Sequence, residues 1–144
     1  FNKVIRVENL SYSYINSENV VLSNIDIEIN KGEVIGFVGE SGAGKSTLIN
    51  ILLGLLEPSE GRILCDSANI AVNIKSWQKI IGYVPQSIYL IDDTIRKNIA
   101  FGLREDNIDD VLIKKAVEHA SLNQFLNNLS DGIETIVGEQ GIRL

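Results

Sequence analysis

Residues 4 to 14, VIRVENLSYSY, alternate apolar and polar positions and are rich in β-branched and aromatic side chains, the pattern of a half-buried strand. Residues 20 to 29, VVLSNIDIEI, repeat it after the polar break INSEN, so the pair predicts an antiparallel β-layer. NKGE at 30 to 33 reads as a turn, and VIGFVG at 34 to 39 is nearly continuous in apolar residues, as in a strand buried on both faces. Lys45 to Leu56 follow helical spacing, and Pro58 and Gly61 are expected to end that helix. GRILCD then predicts a further strand, NIKSWQKI a short helix in which Trp77 packs against the sheet, and IIGYVPQ another strand.

From Ser87 the character changes. TIRKNIAFG and IDDVLIKKAVEHASLNQFLNNL have helical character, and GIETIVGEQGIRL reads as loop. The expected fold is therefore α/β: a core over residues 1–86 carrying an N-terminal antiparallel β-layer, followed by a helical subdomain over 87–144.

Composition narrows the function classes. With 144 residues, 44% of them hydrophobic, the chain has enough apolar surface for one packed domain, which excludes a disordered reading. A formal net charge of −6 argues against a surface that tracks nucleic acid, so any anion must be held locally. The single cysteine, Cys65, is expected as a small buried hydrophobe, in keeping with a reducing compartment. The longest apolar runs are far short of the roughly 20 residues of a membrane-spanning helix, and no charged-then-apolar leader precedes the first strand. The start at Phe1 and the end in GIRL lead us to expect an excerpt of a longer chain.

Against this background GESGAGKST, residues 39 to 47, carries the chemistry. Gly39, Gly44, Lys45 and Ser46 satisfy G-x-x-x-x-G-K-[ST], and the motif sits between an expected strand and an expected helix. Gly39, Gly42 and Gly44 permit a backbone that turns successive N–H groups inward, with Ser41 and Ala43 filling the loop, and the helix N-terminus adds partial positive charge. Lys45 supplies a mobile charge to the β and γ phosphates, the Ser46 hydroxyl is a ligand for Mg²⁺, and Thr47 can donate to a further phosphate oxygen. The loop thus predicts a nucleoside triphosphate with Mg²⁺.

GTP-specific proteins read guanine with N-K-x-D and sense hydrolysis with D-x-x-G, and neither pattern follows this loop. An Arg-rich lid, as in small-molecule kinases, is also missing: Arg62, Arg96, Arg104 and Arg143 are scattered. IYLIDD at 88 to 93 imitates an acid-tipped strand, but too few residues separate it from IIGYV for a parallel crossover. Asp92 and Asp93 are accordingly expected as helix N-cap and surface charge. His119, the one histidine, lies in the charged run IKKAVEHASL and is expected on a solvated face. No carboxylate stands out as a general base.

Taken in order with this loop, the segments LSYSY (10–14), IGYVPQ (81–86), TIRKNIAFG (94–102) and ETIVGEQGIRL (134–144) make the chain resemble the nucleotide-binding domain of an ATP-binding cassette (ABC) transporter of exporter type. In LSYSY the resemblance implies that Tyr14 stacks on adenine, with Tyr12 the competing candidate. In IGYVPQ it implies that Gln86 reaches Mg²⁺ and the attacking water, a task suited to an amide that ligates through oxygen and donates through nitrogen. TIRKNIAFG at 94 to 102 looks like the exporter segment facing the membrane domain, and ETIVGEQGIRL like the loop ahead of the signature sequence, where Glu139 would contact that domain.

The resemblance implies Lys45 and Gln86 as catalytic residues, ATP and Mg²⁺ as ligands, transmembrane domains (fused or co-assembled) and a second nucleotide-binding domain as partners, and a place on the cytoplasmic face of a membrane. The family's S-G-G-Q, its apolar strand ending in Asp-Glu and its switch histidine do not occur within the 144 residues. An incomplete sheet and negligible hydrolysis by the isolated segment are therefore expected, with ATP binding retained. A soluble P-loop module that uses ATP as a ligand or switch is the alternative.

Overall fold

The computed structural model describes residues 1–15 and 19–138. It divides into two compact units, Phe1–Tyr83 and Val84–Leu144.

In the first unit β1 (Val4–Ser13), β2 (Val20–Asn30), β3 (Glu60–Cys65) and the two-residue β4 (Ala68–Asn69) form one antiparallel sheet in the order β2-β1-β3-β4. β1 is central to it, pairing Ile5 with Ile29 on one side and with Cys65 on the other. Its inward positions Val7, Leu10 and Tyr12 join Leu22 of β2, Ile63 of β3, and Leu48 and Ile51 of the helix α1 (Lys45–Leu52) in one buried cluster. The alternation seen in the sequence is thus the face that closes on α1. Cys65 is half-buried rather than a full core residue, because it lies at the end of β3.

A bulge interrupts β1 between Val7 and Leu10, where Asn9 takes a left-handed φ of 48° and its N–H reaches Asp26 Oδ1 at 2.8 Å. Gly61 faces that bulge with φ +82°, and a side chain there would run into the Glu8 and Asn9 carbonyls. The glycine is needed for close approach of β3 to β1.

The helix expected to run to Leu56 stops at Leu52. Gly54, not Pro58, ends it: Gly54 takes φ +69°, a residue with a Cβ would collide with Ile74, and the Leu55 N–H returns to the Asn50 carbonyl at 2.9 Å. A 3-10 turn, Ile70–Asn73, leads into α2 (Ile74–Gln78). Trp77 of α2 lies in the same cluster as the sheet, as expected, and its indole N–H also donates to the Leu52 carbonyl at 2.8 Å. That bond satisfies one of the orphan acceptors at the end of α1.

The two apolar segments expected as strands, VIGFVG and IIGYVPQ, form no ladder among the described residues. Residues 34–38 and 81–85 are unpaired, and Val34 and Val38 are 99% and 97% exposed. A strand is defined by its neighbours, and a local run of apolar residues predicts only the burial such neighbours would provide. The α/β class and the open sheet agree with expectation.

The second unit is helical: α3 (Ile95–Ile99), α4 (Asp110–His119) and α5 (Asn123–Asn127) enclose Ile95, Val117, Leu126 and Val137. IYLIDD forms no strand. The N-cap of α3 is Thr94, whose hydroxyl accepts from the Lys97 N–H at 3.2 Å, and not an aspartate. Asp93 lies one residue earlier, accepting from the Thr94 N–H at 2.8 Å and pairing with Lys97 at 3.3 Å. Arg96 ties α3 to α4 through Asp110 at 2.9 Å and reaches Glu105 at 2.6 Å, and these carboxylates hold its guanidinium above the ordinary value. His119 is exposed at the end of α4, as expected.

Candidate nucleotide site

The loop ahead of α1 is built by two left-handed glycines. Gly42 has φ +84° and Gly44, the N-cap residue of α1, has φ +85°. Gly39 differs from expectation: its φ is ordinary, and a Cβ there would lie 3.3 Å from that of Ala43, a tight contact that a shift of a few tenths of an ångström relieves. Gly44 is constrained on both counts, because a Cβ would meet Leu22 Cδ2 at 2.8 Å and the Val21 carbonyl at 3.2 Å. The chain can therefore turn into the helix here only with glycine.

Gly44 has no side chain to cap α1, no acidic residue occupies the first turn, and the first helical bond runs from the Leu48 N–H to the Gly44 carbonyl at 2.9 Å. The N–H groups of Lys45, Ser46 and Thr47 thus meet no acceptor among the described residues. Unpaired donors at a helix start attract an anion, and the helix dipole adds to the attraction. Lys45 folds back over the loop, its Nζ donating to the Gly39 carbonyl at 2.8 Å and the Glu40 carbonyl at 2.6 Å.

Two hollows of the first unit lie elsewhere. One of about 480 Å³ is lined by Ile51, Leu56, Ile63 and Ile74, and another of about 430 Å³ by Ile49, Leu52 and Trp77. The loop ahead of α1 is open, with Ser41, Gly42 and Ala43 exposed.

The donor set suits Mg²⁺ bound together with phosphate. The Ser46 residue is exposed and its hydroxyl makes no hydrogen bond among the described residues, so a hard oxygen is available at the helix start. No group of three His, Cys, Asp or Glu among the described residues could hold a metal without such help. Gln86 stands exposed at the start of the second unit, and its amide makes no hydrogen bond among the described residues. Glu139 lies outside the described residues.

The two tyrosines have different environments. Tyr12 is 8% exposed and part of the core, whereas Tyr14, just past the end of β1, is 46% exposed. Their rings meet edge to face, centroids 5.0 Å apart at 86°. Tyr14 also shares a hydrogen bond with the buried Thr47, 3.0 Å between the two hydroxyl oxygens. Sequence reasoning named both residues but not this bond; they are 33 positions apart and no local pattern links them.

A glycine-built loop at a helix start, with a lysine over it and an exposed serine beside it, defines a P-loop nucleotide-binding protein. The ABC transporter family model matches residues 22–138, and the chain belongs to that family. It is 40% identical over 141 residues to the ATP-dependent lipid A-core flippase of Nitrosococcus oceani, covering 97% of this chain and 24% of the flippase. It is 38% identical to the mitochondrial iron-sulfur clusters transporter ATM1 of Candida albicans, covering 97% of this chain and 18% of that protein. Among solved structures, a bacterial Atm1-family ABC exporter with ATP bound superposes with a TM-score of 0.85 at 35% identity, covering 99% of this chain and 25% of that one. The chain therefore spans a quarter or less of the length of these curated relatives.

Proposed function

We propose that this chain is the ATP-binding part of an ABC exporter's motor, coupling ATP binding and hydrolysis to movement of a substrate across a membrane. The observation that carries the reading is the pair of left-handed glycines, Gly42 and Gly44, which start α1 with three N–H groups that meet no acceptor among the described residues, while the Lys45 ammonium bonds the Gly39 and Glu40 carbonyls of the same loop. In this reading the N–H groups and Lys45 bind the β and γ phosphates, Thr47 donates to a further phosphate oxygen, and Tyr14 supports the adenine. Gly39, Ser41 and Ala43 complete the loop's path around the phosphates.

Mg²⁺, when bound, neutralises phosphate charge. Ser46 and Gln86 would hold it through hydroxyl and amide oxygens, and Gln86 would orient the attacking water. The partners are transmembrane domains and a second nucleotide-binding domain, at the cytoplasmic face of the membrane. No helix among the described residues is long and apolar enough to cross a membrane. Relatives of near-equal identity, 40% and 38%, carry names with different cargoes, lipid A-core and iron-sulfur clusters. What this chain has in common with both is accordingly the motor. The isolated segment binds ATP and hydrolyses it negligibly, since positioning of water and charge supplies most of phosphoryl-transfer catalysis.

The test is ATP-driven transport and Mg²⁺-dependent hydrolysis by the full-length protein in vesicles. Both should vanish in Lys45→Ala; hydrolysis that persists in that variant, with contaminating ATPases excluded, would contradict the reading.

A further inference from the structure

The hydroxyl of Tyr14 has no task in base stacking, which needs only the ring. In the structure it is nevertheless engaged, 3.0 Å from the hydroxyl of Thr47 on the first turn of α1. Thr47 is 6% exposed, the one polar residue in the buried set of the described residues, so its hydroxyl is held in place by packing. The Tyr14 ring is fixed from a second direction by the edge-to-face contact with Tyr12, itself anchored in the core. Two supports of different chemistry thus converge on a residue that remains 46% exposed.

We propose that the Tyr14 phenol donates to Thr47 and that this bond persists when nucleotide binds, joining the base platform to the phosphate loop; Thr47 and Tyr12 are positioning residues for Tyr14. The inference rests on the reading of Tyr14 as the adenine platform. A threonine hydroxyl has one proton and two acceptor lone pairs. If the phenol donates, Thr47 keeps its own proton for a phosphate oxygen, so both bonds coexist and the chain phenol to threonine to phosphate is cooperative. Holding the platform before the ligand arrives removes a rotamer cost from binding. The opposite arrangement, a plug that nucleotide must displace, would make the bond a competitor of ATP.

The experiment measures the affinities of the full-length protein for ATP and for inorganic tripolyphosphate, which lacks a base, in Tyr14→Phe, Tyr14→Ala, Thr47→Val and the Y14F/T47V double variant, with thermal unfolding of each as the folding control. Y14F should weaken ATP about three- to tenfold, the range of the rotamer cost that the bond removes. It should also lower the ratio of ATP to tripolyphosphate affinity, which a general loosening of the loop would leave unchanged. In the T47V background the Y14F effect should disappear. An unchanged or tighter ATP affinity in Y14F, a constant ratio, or additive effects in the double variant would overturn the coupling. If Y14A leaves ATP affinity unchanged, the stacking reading itself fails; if Y14A weakens ATP and Y14F does not, the stacking reading stands and the hydroxyl coupling alone is lost.

Discussion

The Lys45 ammonium donates to the Gly39 carbonyl at 2.8 Å, across the loop it is meant to serve. The cation proposed to meet phosphate also donates to the Glu40 carbonyl of the same loop at 2.6 Å. Lys45→Ala should lower ATP affinity at least tenfold, about 1.4 kcal/mol, by isothermal titration. The fold should change by less than about 0.5 kcal/mol, as for most substitutions outside the core. Loss of cooperative unfolding in this variant would show that the lysine is structural.

Gly44 provides a sharper test of the loop, because its φ of +85° and its closeness to Leu22 act together. Gly44→Ala should cost about 1–3 kcal/mol from the left-handed backbone alone, with a further loss from the contact with Leu22 Cδ2. Urea unfolding would read the stability and nucleotide titration the site. A Gly44→Ala protein of unaltered stability would mean that the loop adopts another conformation.

The indole of Trp77 joins α2 to the end of α1 through the Leu52 carbonyl. Trp77→Phe keeps most of the apolar surface and removes the donor, leaving the carbonyl with one partner fewer. A loss of about 1–2 kcal/mol is expected, read as a shift of the urea midpoint at constant slope. A shift indistinguishable from zero would assign Trp77 to packing alone.

Asp66 makes stability depend on pH. Its carboxylate accepts from the N–H groups of Val4 at 3.0 Å and of Asn2 and Lys3 at 2.7 Å each, and these bonds, Val4's foremost, hold it below the ordinary value of 3.8. A depressed carboxylate stabilises the fold above its unfolded value and loses that contribution as pH falls through the folded one. Urea midpoints should therefore fall with acidification below about pH 4, and Asp66→Asn should flatten that part of the curve. Equal acid dependence in the variant would assign the effect to other carboxylates, such as Glu33 and Asp93, which are also depressed by backbone N–H groups.

Alternation in VIRVENLSYSY and VVLSNIDIEI, the helical spacing after Lys45 and the G-x-x-x-x-G-K-[ST] spacing all depend on residues within about one element of each other. Those features appear as β1, β2, α1 and a left-handed glycine loop where the sequence put them. Sequence alone could not tell that Gly61 must yield to the bulge at Asn9, or that Gly54 rather than Pro58 stops α1 because Ile74 packs against it. Each is a close approach between segments distant in sequence. Nor could it choose between Tyr12 and Tyr14: both are aromatic and two residues apart, and only packing buries one and leaves the other beside Thr47. The apolar runs at 34–38 and 81–85 mark the same boundary, since periodicity reports which side chains favour burial, whereas pairing requires a neighbouring strand.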